Sequence, residues 1–223
     1  MEPDDTHSFA IKDCALLALA TGRRAAMLPE FLTLLQSADT ASIYYHFWGN
    51  LLNPRFEERE YNNDFAAWTR HHLHDAVLAE RLAVVDPLDF ADLEQMRTAL
   101  VDLVEERLEQ ATYLSWLRAD EPFEFIHSQI VVFDADKCIE QPVQLVELSG
   151  GLSTSSVFYH FIDARRRTPD GRDDFSLWLA NLPDDYSDLC QRLANVDPYF
   201  SSLSELRKAL ANTFADYFGG TVQ

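Results

Sequence analysis

Basic residues and glycine are both scarce in this chain of 223 residues. Its 18 lysines and arginines face 37 aspartates and glutamates, which gives a formal net charge of −19. Nucleic acids and anionic membranes are bound by clustered basic side chains, so this imbalance excludes both as expected partners. Only seven glycines are present, which argues against a turn-rich all-β fold.

Cysteine is equally rare. Cys14, Cys138 and Cys190 are odd in number, lie far apart and form no Cys-x-x-Cys pair. This pattern predicts reduced thiols and a cytoplasmic location. No apolar run approaches the ~20 residues that span a bilayer, and residues 14–20 are too short and follow acidic residues, unlike a signal peptide.

Recognisable catalytic motifs are also missing. The sequence has no Gly-x-Ser-x-Gly elbow. Residues 150–155, Gly-Gly-Leu-Ser-Thr-Ser, could hold a phosphate at a helix start, but they lack the Walker lysine. A helix break followed by an N-cap explains them better. The sequence therefore predicts no cofactor and argues, without deciding, against an enzyme.

A tandem repeat is the strongest signal present. In four aligned blocks, 16 of 26 positions are identical, whereas average composition gives roughly one or two by chance. The offset between copies falls from 114 residues at His46 and His160 to 110 at Asp64 and Asp174, which predicts a surface loop that is shorter in the second copy. The matching blocks are residues 42–47 with 156–161, 63–68 with 173–178, 82–87 with 193–198, and 93–100 with 203–210.

Apolar periodicity predicts a mainly α fold, in which two homologous helical repeats, residues 1–114 and 115–223, pack together. A helix is predicted over residues 13–21, ended by Gly22, and a long amphipathic helix begins at Leu93. Strand signals are confined to three segments and predict only a minor, short β pairing. Those segments are residues 9–11, 123–126 and 129–133.

The combination Tyr-Tyr-His-Phe (residues 44–47), Asn-Asp-Phe-x-x-Trp (63–68), Asp-Pro (86–87) and a terminal acidic helix resembles a bacterial and archaeal family classed as a domain of unknown function. The resemblance covers nearly the whole chain and is strongest over residues 42–107. Members sometimes occur beside or fused to sugar-nucleotide glycosyltransferases, so the resemblance implies a carbohydrate context. It implies no catalytic residue, because the family has no agreed activity.

His46 and His160 occupy the same position in both copies, each inside an aromatic helix. One interpretation makes them a general base or a ligand pair brought together by pseudo-twofold symmetry. The other makes each a core histidine bonded to a tyrosine, a backbone carbonyl or an aspartate. A residue kept in both halves most simply serves the fold common to both, so we favour the second interpretation.

Six arginines follow the two histidine helices in an otherwise acidic chain. Guanidinium groups suit phosphate and carboxylate, so these arginines, together with His46 and His160, are the candidate ligand-binding residues. The alternative is local pairing with neighbouring carboxylates, which is common and weak. The six are Arg55, Arg59, Arg165, Arg166, Arg167 and Arg172.

No metal site is predicted. The weak candidates for one are His71 and His74, which share a helix face and are followed by Asp75. A metal site usually takes ligands from a second element, and none is identifiable. We favour imidazoles that are placed favourably at a helix C-terminus.

These patterns favour a non-catalytic cytoplasmic binding or regulatory module, linked through the resemblance to carbohydrate metabolism. Two alternatives stay open. One is an enzyme that acts on a phosphorylated or acidic small molecule in a cleft between lobes, and the other is a structural subunit of a protein complex. The expected partner is a protein, including a second copy in a homodimer, or a small anionic ligand.

Overall fold

A computed structural model describes residues 8–52, 60–168, 170–198 and 202–219. In the first repeat, Pro29 lies in the first turn of the first helix, and the long amphipathic helix begins at Leu93, as predicted. The helices are α1 (Leu28–Gln36), α2 (Thr40–Trp48), α3 (Asp64–His71), α4 (Ala76–Ala83) and α5 (Leu93–Gln110), with 3₁₀ turns at Gly49–Leu51, Pro87–Asp89 and Thr112–Ser115.

The second repeat follows the same plan with one local change. Its histidine helix is continuous from Thr154 to Arg167, but its middle, Phe158–Asp163, is wound as a π-helix. The other helices of the second repeat correspond to helices of the first repeat. The elements are α6 (Leu145–Ser149), α7 (Thr154–Val157), α8 (Ala164–Arg167), α9 (Asp174–Ala180), α10 (Ser187–Ala194) and α11 (Leu203–Gly219), with a 3₁₀ turn at Pro142–Gln144.

The prediction of a mainly α fold with a minor, short β pairing was wrong. Two long strands, β1 (Phe9–Met27, 19 residues) and β2 (Arg118–Ile139, 22 residues), form a two-stranded antiparallel ribbon. The helix predicted over residues 13–21 lies inside β1. Alanine and leucine favour helices intrinsically, but propensity is a weak prior that pairing with β2 overrides. The fold is therefore mixed α and β.

Side chains mark the register of this ribbon. Lys12 on β1 pairs with Asp134 on β2, and the Thr21 hydroxyl donates to the Phe125 carbonyl at 2.6 Å. Residue numbers rise along one strand as they fall along the other, as antiparallel pairing requires. Strands in globular proteins usually have about 3–10 residues, so this ribbon is unusually long.

The chain divides into two compact units, and each mixes the two repeats. The first-repeat unit, Leu16–Gln129, holds α1 to α5 together with the start of β2. The second-repeat unit joins the chain up to Ala15 with Ile130 and the residues after it, and holds α6 to α11 together with the start of β1. Each unit thus combines the helices of one repeat with the strand segment that opens the other.

Side-chain caps fix the starts of the helices around each histidine. Asp39 and Ser153 cap the two histidine helices by accepting hydrogen bonds from the amides of Ala41 and Ser156. Asn63 and Asp173 cap α3 and α9 in the same way. Each cap satisfies an amide that has no partner within its helix, so these four helix starts are set locally by the sequence.

All three cysteines are free thiols. In the part of the chain that the structure describes, none of the helices is both long and apolar enough to cross a membrane.

Candidate functional site

His160 binds the backbone of β1 in the second-repeat unit. The Lys12 amide donates to His160 Nε2 at 2.8 Å, and the Ser156 hydroxyl donates to the carbonyl oxygen of the same Lys12 at 2.6 Å. Phe9 packs against the imidazole with ring centroids 5.0 Å apart. Both polar groups of one strand residue are therefore held by side chains of a single helix.

His46 binds β2 in the same way in the first-repeat unit. The Ile126 amide donates to His46 Nε2 at 3.1 Å, and Phe123 lies with its ring centroid 4.6 Å from the imidazole. The Ser128 hydroxyl donates to the Ala41 carbonyl at 2.9 Å. The strand is again fixed to the N-terminal half of a histidine helix.

The second nitrogen of each imidazole faces an aspartate. His160 Nδ1 lies 2.8 Å from Asp174 Oδ2, and His46 Nδ1 lies 3.0 Å from Asp64 Oδ2. Because Nε2 accepts from an amide, the hydrogen-bond network assigns the ring hydrogen to Nδ1, which donates to the carboxylate. The two rings are 2% and 3% exposed. Both nitrogens of both histidines are thus used by intramolecular bonds.

The two aspartates differ in their other partners, and here the repeats diverge. Asp64 accepts a hydrogen bond from the neutral Asn50 amide. Asp174 instead accepts from Arg167 Nη2 at 2.9 Å, and Arg167 Nε donates to the buried Asp163 at 2.8 Å. The π-helical stretch ends at Asp163. Such stretches recur at functional sites, and this one carries a charged network where the first repeat has an amide.

The arginine candidates lie mostly against carboxylates. Arg55 and Arg59 fall outside the described residues. Arg166 lies 3.1 Å from Asp163, Arg172 Nε lies 2.6 Å from Asp170, and the Arg165 guanidinium lies 4.6 Å above the Phe161 ring. Residues 163–174 contain four arginines and four aspartates, so this segment has no formal net charge.

Arg167 is the most constrained of these arginines. Its guanidinium also donates to the Tyr159 carbonyl and lies 4.1 Å from the centroid of the Tyr159 ring. Burial opposes its charge, but hydrogen bonds to Asp174 and Asp163 raise the pKa of Arg167 above its ordinary value. A guanidinium that binds two carboxylates and packs against an aromatic ring acts mainly to stabilise the fold.

Burial changes two further groups near the histidine of the second repeat. It raises the pKa of the Cys14 thiol to about 12, with a further contribution from the carboxylates of Asp163 and Asp13. It also raises the pKa of the Asp173 carboxyl, although hydrogen bonds from Ser176 act in the opposite direction. Neither group has the depressed pKa of an activated nucleophile.

The weak metal candidates face different partners. His71 Nε2 lies 3.0 Å from Glu60, and His74 Nε2 lies 2.6 Å from Asp120. His74 has a positive φ of 59° just beyond α3. Over the described ranges, no group of three or more histidine, cysteine or acidic side chains is arranged to hold a metal ion.

Comparison with known proteins gives a family for nearly the whole chain. A model of the family of unknown function DUF5752 matches residues 6–215. The chain belongs to this family. No curated protein matches the chain. The DUF5752 chain is similar to the solved structure of OrfY from Thermoproteus tenax, with a TM-score of 0.80 and 25% sequence identity over 94% of each chain.

Sequence reasoning missed three residues of the second-repeat site, two on β1 and one at the end of the π-helical stretch. Lys12, Cys14 and Asp163 were not among the candidates for this DUF5752 chain, although the carbonyl of Lys12 accepts from Ser156 and Asp163 holds two arginines. A signal was present: residues 9–14 (FAIKDC) align with residues 123–128 (FEFIHS) at the same offset of 114 as the two histidines. Only Phe9 and Phe123 are identical among these six positions, so the constant offset is the signal, and sequence identity alone does not reveal a fifth block.

Proposed function

We propose that this chain is a non-catalytic cytoplasmic binding module, and that its partner is a protein bound at Val131, Val132 and Phe133 on β2. The observation that carries the proposal is their exposure, which is 42%, 43% and 50%. Successive strand residues point to opposite faces of a sheet. Three consecutive exposed apolar side chains therefore leave both faces of the ribbon uncovered at this point.

The chemistry of the segment fits an apolar partner. Residues 129–133 contain no charged side chain, in a protein whose formal net charge is −19. Val131 and Phe133 lie on one face of the strand and Val132 on the other, and neighbouring exposed apolar side chains are a feature of interaction sites. A two-stranded ribbon also has open edges, to which an extended segment of another chain can add through backbone hydrogen bonds.

The other candidate residues support this proposal over its alternatives. His46 and His160 use both ring nitrogens inside the fold, and the described arginine segment is balanced by its own aspartates. An enzyme or an anion-binding module built on these residues would first have to break those bonds. The three free cysteines support a cytoplasmic location. The carbohydrate context rests on the family resemblance alone.

Site-specific photocrosslinking tests the proposal. Phe133 is replaced with p-benzoylphenylalanine in cells that express the full chain, and Lys137, an exposed residue of the same strand, is replaced in the control. We expect one discrete protein adduct from position 133 and none from position 137. An adduct of twice the 25.5 kDa chain mass identifies a homodimer.

A competition experiment tests whether the adduct depends on the apolar side chains of this segment. Unlabelled wild-type chain should suppress the adduct, whereas the Val131→Ser, Phe133→Ser chain should not. Equal crosslinking at positions 133 and 137, or equal competition by both chains, contradicts the proposal. A thermal-shift screen with sugar nucleotides and sugar phosphates tests the anionic-ligand alternative, because a ligand that binds the native state raises the melting temperature.

A further inference from the structure

We infer that the helices of each unit form a strand-binding site that selects the opening strand of the other repeat over the strand of its own repeat. The second-repeat helices hold the segment from Phe9 to Cys14, and the first-repeat helices hold the segment from Phe123 to Ser128. This inference concerns the ends of the ribbon and is independent of the exposed segment around Phe133.

The backbone contacts alone cannot make this selection. His160 and Ser156 bind the amide and the carbonyl of Lys12, and His46 binds the amide of Ile126. Any residue except proline offers the same peptide groups. Both copies keep the histidine, so either helix set could hold either strand through the imidazole. The first repeat also keeps a serine, Ser42, but its buried hydroxyl has no hydrogen-bond partner among the described residues. Discrimination must come from side chains that differ between the copies.

One such difference is a pair of polar side chains at each helix start. In the second-repeat unit, the Ser153 hydroxyl donates to Asp13 Oδ2 at 2.8 Å. The equivalent residues in the first-repeat unit are Asp39 and His127, whose Oδ1 and Nδ1 atoms lie 3.9 Å apart. Exchanging the strands would place Asp13 against Asp39, two like charges, and would remove the hydrogen bond to Ser153.

The second difference is one of size. Phe125 is 2% exposed and packs against Phe31 with ring centroids 5.7 Å apart. At the equivalent positions the other unit has Ile11, 1% exposed, and the fully buried Leu145. A phenylalanine placed at the Ile11 position would overpack that core, whereas an isoleucine at the Phe125 position would leave a cavity. Charge and volume thus disfavour the same wrong pairing.

A mutant cycle in the full chain tests the polar pair. His127→Asp places a second carboxylate near Asp39, and we expect the melting temperature to fall by about 2–4 °C. Adding Asp39→Ser reproduces the Ser153–Asp13 pair and keeps a good N-cap, so the double variant should recover at least half of that loss. Asp39→Ser alone should change little. The loss in His127→Asp should also shrink in 1 M salt, because repulsion between exposed charges is screened.

A composition-neutral variant tests both positions together. Ile11→Phe, Asp13→His, Phe125→Ile and His127→Asp exchange the strand identities without changing the amino-acid content of the chain. We expect its melting temperature to fall by about 10 °C or more. A melting temperature within 2 °C of the wild type overturns the inference. If this variant does not fold, the cycle decides: strictly additive effects of Asp39→Ser and His127→Asp overturn the inference.

Discussion

The Nε2 atom of His160 lies 2.8 Å from the amide nitrogen of Lys12, a residue 148 positions earlier in the chain. The corresponding bond in the other unit joins His46 to Ile126, 80 positions later. Each helix set is therefore completed by a strand that is distant in sequence. Contacts of such separation slow folding, because the intervening chain must be ordered before they form.

Replacing either histidine should destabilise the protein through its polar contacts. His160→Phe keeps a ring of similar size. It leaves the Lys12 amide without an acceptor and removes the hydrogen bond from His160 Nδ1 to Asp174. We expect a loss of about 2–4 kcal/mol in the free energy of unfolding, measured by urea denaturation. His46→Phe should act similarly. His71→Ala, at an exposed histidine, is the matched control and should stay within about 0.5 kcal/mol; equal effects for His160→Phe and His71→Ala would contradict this role.

Asp174 and Asp64 allow the charged and neutral versions of the site to be compared. Asp174→Asn removes a carboxylate that faces both His160 and Arg167, whereas Asp64→Asn removes one that faces His46 and a neutral amide. We expect a loss of about 2–3 kcal/mol for the first and about 1 kcal/mol for the second, since Asp174→Asn removes one of the two carboxylates that bind the Arg167 guanidinium, whereas Asp64→Asn breaks no pair with an arginine. Urea denaturation of both variants measures the difference, and an equal or larger loss for Asp64→Asn would refute it.

The helix starts were predictable from sequence because their determinants are local. Asp39, Asn63, Ser153 and Asp173 are short polar residues placed directly before apolar helical segments, and each accepts a hydrogen bond from an amide two or three residues later. The pattern contains both the donor and the acceptor. No knowledge of the rest of the chain is needed to place these four helix starts.

The ribbon was not predictable in the same way. Residues 15–20, Ala-Leu-Leu-Ala-Leu-Ala, have the composition of a helix, and their strand conformation depends on β2, more than a hundred residues later. The same dependence hid the site. The contact between His160 and Lys12 follows only once the opening strand of one repeat is known to bind the helices of the other.

Asp173→Asn tests how burial affects stability at different pH values. Asn63 caps the equivalent helix in the first repeat, so asparagine is an acceptable cap at this position. Burial raises the pKa of Asp173 above its ordinary value of 3.8, so the folded state holds this proton more tightly than the unfolded state does. The wild type therefore loses stability as the pH rises from 3.8 through the raised pKa, whereas asparagine does not titrate.

The difference in unfolding free energy between Asp173→Asn and wild type should consequently shift in favour of the variant as the pH rises through this window, and then stay constant. Urea denaturation at a series of pH values between 3 and 8 measures this shift. Asp185→Asn is the opposite control, because hydrogen bonds from Ser187 lower the pKa of that exposed carboxyl. A shift that favours wild-type Asp173 with rising pH would contradict the assignment.

The three cysteines should react with iodoacetamide in the order Cys138, Cys190, Cys14. Cys138 is exposed, whereas burial raises the pKa of Cys190 and raises that of Cys14 to about 12. The thiolate is the reactive species, so at pH 8 Cys14 is both covered and almost fully protonated. Peptide mass spectrometry after timed labelling measures each rate, and labelling in guanidinium should make the three rates similar.

The His160→Phe variant should change the labelling of Cys14 alone. His160 binds the Lys12 amide on β1, and Cys14 on the same strand donates to the Ser155 carbonyl. Because the substitution removes the first of these contacts, it should speed the labelling of Cys14 while leaving that of Cys138 unchanged. If Cys14 instead reacts as fast as Cys138 in the native chain, β1 is not held against the second-repeat helices as the structure describes.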